Sequence, residues 1–160
     1  MRRHMRLFGW LLLGLLVVAH TRATQAQQFH LTVASAIAGN TPGFKDSLFV
    51  VRTNGCPEAA SARITAHGEG IVNGERRTTA IEPAPLSQAG AYAIGRQWMT
   101  PPGTWVVNLT ATCGQMTAGA IVPIGREGFL RDPSKFFPRP ATVTEINEAL
   151  KSLASAGGTR

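Results

Sequence analysis

The sequence lacks the short motifs that mark the common catalytic sites. None of its 160 residues forms a phosphate-binding glycine loop, a nucleophile elbow or an HExxH helix, each of which sets reactive groups at a fixed spacing. Serine and histidine occur, but no pattern brings them together with a carboxylate. The sequence therefore predicts a protein that is not an enzyme, with a small hydrolase as the least favoured alternative.

The part of the chain beyond position 26 also carries a smaller net positive charge than the full sequence. The full sequence carries a formal net charge of +7, but four of its arginines and none of its acidic residues lie in the first 26 positions. Beyond that segment there are twelve basic and nine acidic residues, which gives a net charge of about +3. A balance this small does not indicate a nucleic-acid partner.

Long apolar runs are confined to the N-terminus. Arg2, Arg3 and Arg6 precede an apolar stretch over 7–19, and Thr24 and Ala26 provide small residues at the minus-three and minus-one positions. This order predicts a secretory signal peptide over 1–26, cleaved after Ala26, and a periplasmic or secreted protein. The apolar stretch is too short to span a bilayer of ~30 Å, although an uncleaved anchor is the alternative. We expect no transmembrane segment after removal of the signal.

Cysteine is rare, with two residues, Cys56 and Cys113. In an oxidising compartment such a pair forms a structural disulfide by default. Free or metal-binding thiols are the alternative, but no CxxC or Cys-His spacing supports them. We expect a disulfide.

Alternation of apolar and polar residues runs through the middle of the chain without helical periodicity. A period of two is typical of strands with one buried face. Asn73-Gly74 is a dipeptide that favours a tight hairpin turn. Seven segments fit short strands, at 29–36, 47–53, 62–68, 76–81, two runs between 90 and 113, and 116–124.

The two runs between 90 and 113 form the clearest of these patterns. Tyr92 and Trp98 precede Pro101-Pro102-Gly103, and Trp105 follows it. We interpret this stretch as a β-hairpin whose aromatic side chains fill a core. Seven short strands separated by turns predict an all-β fold, a seven-stranded immunoglobulin-like β-sandwich over 27–125, with 116–124 as an edge strand that tolerates Pro123.

Beyond position 125 the character changes. Residues 126–141 are predicted to form a proline-rich connector, and 142–160 a short amphipathic helix with a frayed tail, begun by a capping box at Thr142. Such a helix is marginal alone, so its apolar stripe must pack on the sandwich or on a partner. The candidate partner contacts are Phe136, Phe137, Ile146, Leu150 and Leu153.

Soft metal ligands are few in the exported part of the chain. A copper site outside the cytoplasm would draw on histidine and methionine, which here means His30, His67, Met99 and Met116. No HxH, MxxM or His-rich cluster joins them. Cleavage one residue later would place His30 third after a free amine, an arrangement that chelates Cu(II). Metal handling is therefore the alternative function, and we expect no cofactor.

The glycine and aromatic pattern resembles a known kind of domain. Gly90-x-Tyr92 is followed by Gly103-x-Trp105, which resembles the signature of YtkA-like and FixH-like extracytoplasmic domains, similar in turn to CopC-type copper proteins. The resemblance covers 47–124 and implies a non-catalytic periplasmic accessory domain, sometimes tied to metal handling or oxidase assembly. The Met- and His-rich copper motifs are absent here, and a cysteine pair and a helix are added.

Together these features predict an exported, non-enzymatic, immunoglobulin-like module. We expect it to bind another extracytoplasmic protein through the C-terminal connector or helix.

Overall fold

The computed structural model describes residues 28–36, 46–100 and 102–157. The predicted signal peptide lies outside the described residues. Nine strands and one helix follow in chain order: β1 His30–Ser35, β2 Ser47–Asn54, β3 Arg63–Val72, β4 Glu75–Ile81, β5 Ala84–Pro85, β6 Ala91–Gly95, β7 Thr104–Cys113, β8 Met116–Ile124, β9 Lys135–Phe137 and α1 Val143–Gly157.

The strands form two antiparallel sheets. Sheet A has the order β1-β2-β6-β5, and sheet B has the order β4-β3-β7-β8-β9. The predicted Asn73-Gly74 turn joins β3 to β4, with φ angles of 52° and 83° at its two residues, which are the positive values that a tight hairpin turn requires. The all-β prediction is thus confirmed in its coarse form, with nine strands rather than seven.

One apolar core lies between the two sheets. Phe49 and Val51 of β2 and Ile94 of β6 face it from sheet A, while Leu109 and Val122 face it from sheet B, and all five are fully buried. β2 is an inner strand of its sheet and is buried at four successive positions, from Leu48 to Val51.

The predicted hairpin between 90 and 113 is wrong. β6 pairs with β2, and β7 pairs with β3, so the two runs belong to opposite sheets. Both runs alternate because both face the same core, but from opposite sides. A period of two reports which face of a strand is buried and does not report the strand with which it exchanges hydrogen bonds.

Trp98, in the connection between β6 and β7, packs against Trp105, the second residue of β7. Trp98 lies in a turn after β6, where its Nε1 donates to the carbonyl oxygen of Gly95 at 2.7 Å. Its ring packs edge-on against Trp105, with 5.4 Å between centroids. Gly68 and Gly70 of β3 lie directly beneath these rings, where any Cβ would clash with the indoles. Trp105 is a core residue, as predicted, and Trp98 is partly buried.

The two additional strands are the shortest ones. β5 has two residues and β9 has three, too few for an alternation to be visible in the sequence. β9 lies inside the predicted connector and pairs with β8 from Gly119 to Ile121. β8 is therefore an inner strand, and the prediction that it forms an edge is wrong.

The two cysteines join the sheets at one rim. Cys56 follows β2 of sheet A, and Cys113 ends β7 of sheet B. Their sulfur atoms lie at disulfide-bonding distance, with 5.9 Å between the Cα atoms, inside the range that a disulfide allows. The expected pairing of the two cysteines is confirmed at disulfide distance.

We expect the paired substitution Cys56→Ser and Cys113→Ser to lower the free energy of unfolding by about 4 kcal/mol, because the bridge closes a long loop in the unfolded chain. Urea denaturation of the variant and of the oxidised wild type, followed by circular dichroism, measures the difference. Equal midpoints for the two proteins would contradict it. Reduced wild type serves as the control and should match the variant.

Helix α1 forms a third layer on the outer face of sheet B. Ile146, Ala149 and Leu150 are buried against Val106 of β7 and Ile121 of β8. The sequence left open whether the apolar stripe of this helix packs on the sandwich or on a partner. In the structure it packs on the chain's own sheet. No helix of the described residues is long and apolar enough to cross a membrane.

We expect Leu150→Ala to lower the free energy of unfolding by about 2–5 kcal/mol, since it removes a side chain that is 2% exposed and leaves a cavity. Val143→Ala is the matched control in the same helix. Val143 is 68% exposed, so its truncation should change stability by less than about 0.5 kcal/mol. Similar losses in both variants, by chemical denaturation, would show that α1 does not pack as described.

Candidate functional site

The four candidate metal ligands do not converge. His30 pairs with Asn54 and Met116 pairs with Cys113, which places both residues at the rim that holds the disulfide. His67 lies in the middle of β3 and is exposed. Met99 follows the C-terminal end of β6 and packs against the core. No group of three or more His, Cys, Asp and Glu among the described residues could hold a metal ion. The described residues therefore do not bring the four candidate ligands together at one place.

A shallow depression beside His67 contains the side-chain types that a hydrolase would use. Thr65, His67 and Glu82 all line it. The Thr65 hydroxyl donates to the carbonyl oxygen of Thr110 at 3.5 Å, and within the described chain no hydrogen bond joins His67 to either Thr65 or Glu82. An activated nucleophile needs a base within hydrogen-bond reach, so the depression lacks the contact that would define a catalytic pair.

The predicted partner contacts fall into two groups. Ile146 and Leu150 are 4% and 2% exposed, and Leu153 is partly buried in the same cluster. The prediction that Ile146 and Leu150 contact a partner is wrong, because sheet B already covers them. The stripe was correctly identified, but its covering surface belongs to the same chain.

Phe136 and Phe137 point to opposite sides of β9. Phe137 faces the outer side and packs in the cluster beneath α1. Phe136 pairs with Ala120, a core residue, and so faces the inner side. There β9 contacts β1, the edge strand of sheet A. At this edge Phe136 remains 48% exposed.

The chain on either side of Phe136 is firmly held. Three residue pairs anchor β9 to β8, and Pro138 and Pro140 restrict the segment that follows. Arg139 lies over the ring of Phe137 at 5.3 Å from its centroid and forms a two-point ion pair with Glu145 at 2.8 and 3.0 Å. Phe136 is therefore presented on a rigid support.

Glu145 also completes the predicted capping box at the start of α1. Its carboxylate accepts from the backbone N–H of Thr142 at 2.7 Å, and its own N–H donates to the Thr142 hydroxyl at 3.3 Å. The hydrogen bond from Arg139, and next the one from the Thr142 backbone, lowers the pKa of Glu145 to about 2. The ion pair therefore joins the segment after β9 to the first turn of the helix.

Comparison with known proteins adds no relative. No protein-family model, curated protein or solved structure matches the chain. The site is therefore argued from the chain's own residues and their geometry alone.

The sequence pattern did not identify Arg139 or Leu130 as residues that flank β9. Arg139 is six residues before Glu145, a separation that carries no helical signal because it spans the turn into α1. Leu130 lies in the loop between β8 and β9, where it is 37% exposed. The backbone N–H of Leu130 donates to the carbonyl oxygen of Pro123. That contact exists only after β8 has paired, so no local pattern could reveal it.

We expect Glu145→Gln to remove a pH-dependent part of the stability. Because the pKa of Glu145 is lowered to about 2 in the fold, against about 4.3 in an unfolded chain, ionised Glu145 stabilises the fold above pH 4.3. That contribution is lost as the pH falls towards 2. The wild type should therefore melt above the variant at pH 7, and the gap should close by pH 2.

Glu148→Gln is the matched control for this measurement. Glu148 lies on the same helix and is exposed, so its neutralisation should leave the gap in melting temperature nearly the same at both pH values. Thermal denaturation followed by circular dichroism at pH 7 and pH 2 provides the comparison. A wild-type advantage over Glu145→Gln that persists undiminished at pH 2 would contradict the assignment.

Proposed function

We propose that the chain is an exported, non-enzymatic, immunoglobulin-like accessory module that binds another extracytoplasmic protein through the edge around Phe136. The observation that carries this proposal is the 48% exposure of Phe136 on a strand whose neighbours are fixed. Aromatic side chains held on rigid elements are typical anchors of protein interfaces. Little conformational entropy is lost when such an anchor is bound.

The strand orders support the immunoglobulin-like assignment. β1-β2-β6-β5 corresponds to the A-B-E-D sheet of that fold, and β4-β3-β7-β8 corresponds to a C′-C-F-G sheet. Here Cys56 lies just after the B-type strand and Cys113 at the end of the F-type strand. Antibody domains instead have both cysteines in mid-strand. β9 and α1 are additions to the common pattern.

Export is supported by two independent features. The N-terminal 26 residues have the three parts of a secretory signal, and the cysteine pair lies at bonding distance, which suits an oxidising compartment. The resemblance to YtkA-like and FixH-like domains favours the same compartment and an accessory role.

The strand that carries Phe136 indicates the kind of partner. Lys135 and Phe137 alternate with Phe136 along β9, so they face the outer side of the sheet, where Lys135 lies near α1 and Phe137 packs beneath it. The inner side of the strand therefore presents the phenyl ring of Phe136 between two side chains that point away from it. We propose a partner protein with an apolar pocket that accepts this one aromatic side chain.

The non-enzymatic part of the proposal rests on geometry as well as on motifs. Thr65 and Glu82 share a depression with His67, but all three side chains are exposed, and no hydrogen bond connects them in the described chain. An exposed histidine without a base-to-nucleophile contact has no activated group to offer a substrate.

Site-directed photo-crosslinking in the native host tests this function. A photo-reactive phenylalanine analogue replaces Phe136 in one variant and Arg77 in the control. Arg77 is exposed on β4, at the opposite edge of sheet B. We expect position 136 to give one discrete adduct with a different extracytoplasmic protein and position 77 to give none. Adducts with a second copy of the chain, or equal patterns at both positions, would contradict the proposal.

The identified partner then allows a quantitative test. Phe136→Asp should weaken binding by about tenfold or more, as expected for loss of an aromatic anchor. Val143→Asp replaces another exposed apolar residue, 68% exposed, and should change affinity by less than about twofold. Isothermal titration calorimetry with purified proteins measures both. Equal losses would place the contact elsewhere.

A further inference from the structure

Glu69 is a buried carboxylate on the outer face of sheet B. It is 8% exposed and pairs with Val106 of β7, so its side chain lies on the face that α1 covers. Its Oε2 accepts from two nitrogens of Arg76 at 2.9 and 3.2 Å and from the Thr78 hydroxyl at 2.8 Å. Desolvation of a buried ion pair largely offsets its attraction, so stability alone does not account for this one.

Arg76 joins this ion pair to the helix. A further nitrogen of its guanidinium donates to the side-chain oxygen of Asn147 in α1. On the other flank of the helix, Arg139 holds Glu145. Positions 145 and 147 are about 200° apart around a helix of about 3.6 residues per turn, so the two contacts hold α1 from opposite sides. Ile146 lies between them and faces the sheet.

The roll of α1 about its own axis leaves the larger of two apolar side chains in water. Val143 is 68% exposed, whereas Ala149 is 5% exposed. Each is three positions from Ile146, with Val143 towards the Asn147 flank and Ala149 towards the opposite one. A roll that turned the Asn147 flank down would cover Val143 and lift Ala149 away, and would bury more apolar surface. Apolar burial alone therefore does not explain the observed roll.

We propose that the Glu69–Arg76 pair selects the roll of α1 on sheet B. The guanidinium of Arg76 stands beside Glu69 on the flank where Asn147 would descend. The alternative roll would displace it and leave the carboxylate buried without its partner. That loss exceeds the gain from covering Val143 in place of Ala149. The pair is thus a conformational device that gives α1 one docked arrangement, and it is independent of the proposed partner.

Solvent accessibility of Val143 tests this role by NMR. The chain without its predicted signal, residues 27–160, is prepared with ¹³C-labelled valine methyl groups, and the Val143 signals are assigned by their loss in Val143→Ala. A soluble gadolinium chelate relaxes exposed methyl groups. In Glu69→Leu/Arg76→Leu we expect this relaxation to fall at Val143, or the Val143 signals to split into more than one set. One set of signals with wild-type relaxation would overturn the proposal.

Two further variants separate the roll from other effects of the substitutions. Glu75→Leu/Arg77→Leu removes an exposed ion pair of the same strand, at 3.7 Å, and should leave the relaxation of Val143 unchanged. Asn147→Ala keeps the buried pair but frees the flank of the helix, so it should lower the relaxation of Val143. Equal falls in the two double variants, or no fall in Asn147→Ala, would overturn the proposal.

Urea denaturation distinguishes selection of the roll from simple stabilisation. Arg76→Leu alone leaves the Glu69 carboxylate buried without its partner and should lower the folding equilibrium constant by about 100-fold or more. Glu69→Leu/Arg76→Leu removes both charges, so its folding constant should lie within about tenfold of the wild type or above it. A double variant as unstable as Arg76→Leu would overturn the proposal, because the pair would then stabilise the fold instead of selecting an arrangement.

Discussion

Burial of sheet B on both faces is the constraint on which the rest of the structure depends. Trp105, Val106 and Val107 are all buried at successive positions of β7, because Trp105 and Val107 face the core while Val106 faces α1. β8 is buried from Ala118 to Ile124 for the same reason. A strand with two apolar faces cannot leave either one in water without loss of the hydrophobic free energy that stabilises the fold. Sheet A covers one face, and α1 must cover the other.

Several features that look separate follow from the need to place α1. The chain leaves β8, forms the short strand β9 and crosses to the outer face of the sheet before the helix begins. Arg139 and Glu145 fix this crossing by joining the end of the connector to the capping box. A helix of fifteen residues is marginal in isolation, so its apolar contacts with Val106 and Ile121 and its capped start act together. The exposed position of Phe136 results from the same path. One side of β9 packs beneath α1, and the other side, which carries Phe136, lies at the edge of the sandwich.

The sequence predicted those features that are written in local patterns. Strand alternation, the Asn73-Gly74 turn and the capping box all depend on neighbours in the chain. The pairing of β6 with β2, the pairing of β7 with β3 and the position of β9 were not predictable in this way. Each depends on which sheet a strand joins. For the candidate site, both Phe136 and Phe137 were predicted as partner contacts, and of the two only Phe136 is largely exposed. The sequence left open whether the helix stripe packs on the sandwich or on a partner, because the face that covers it is formed by Val106 and Ile121, which are distant in the chain.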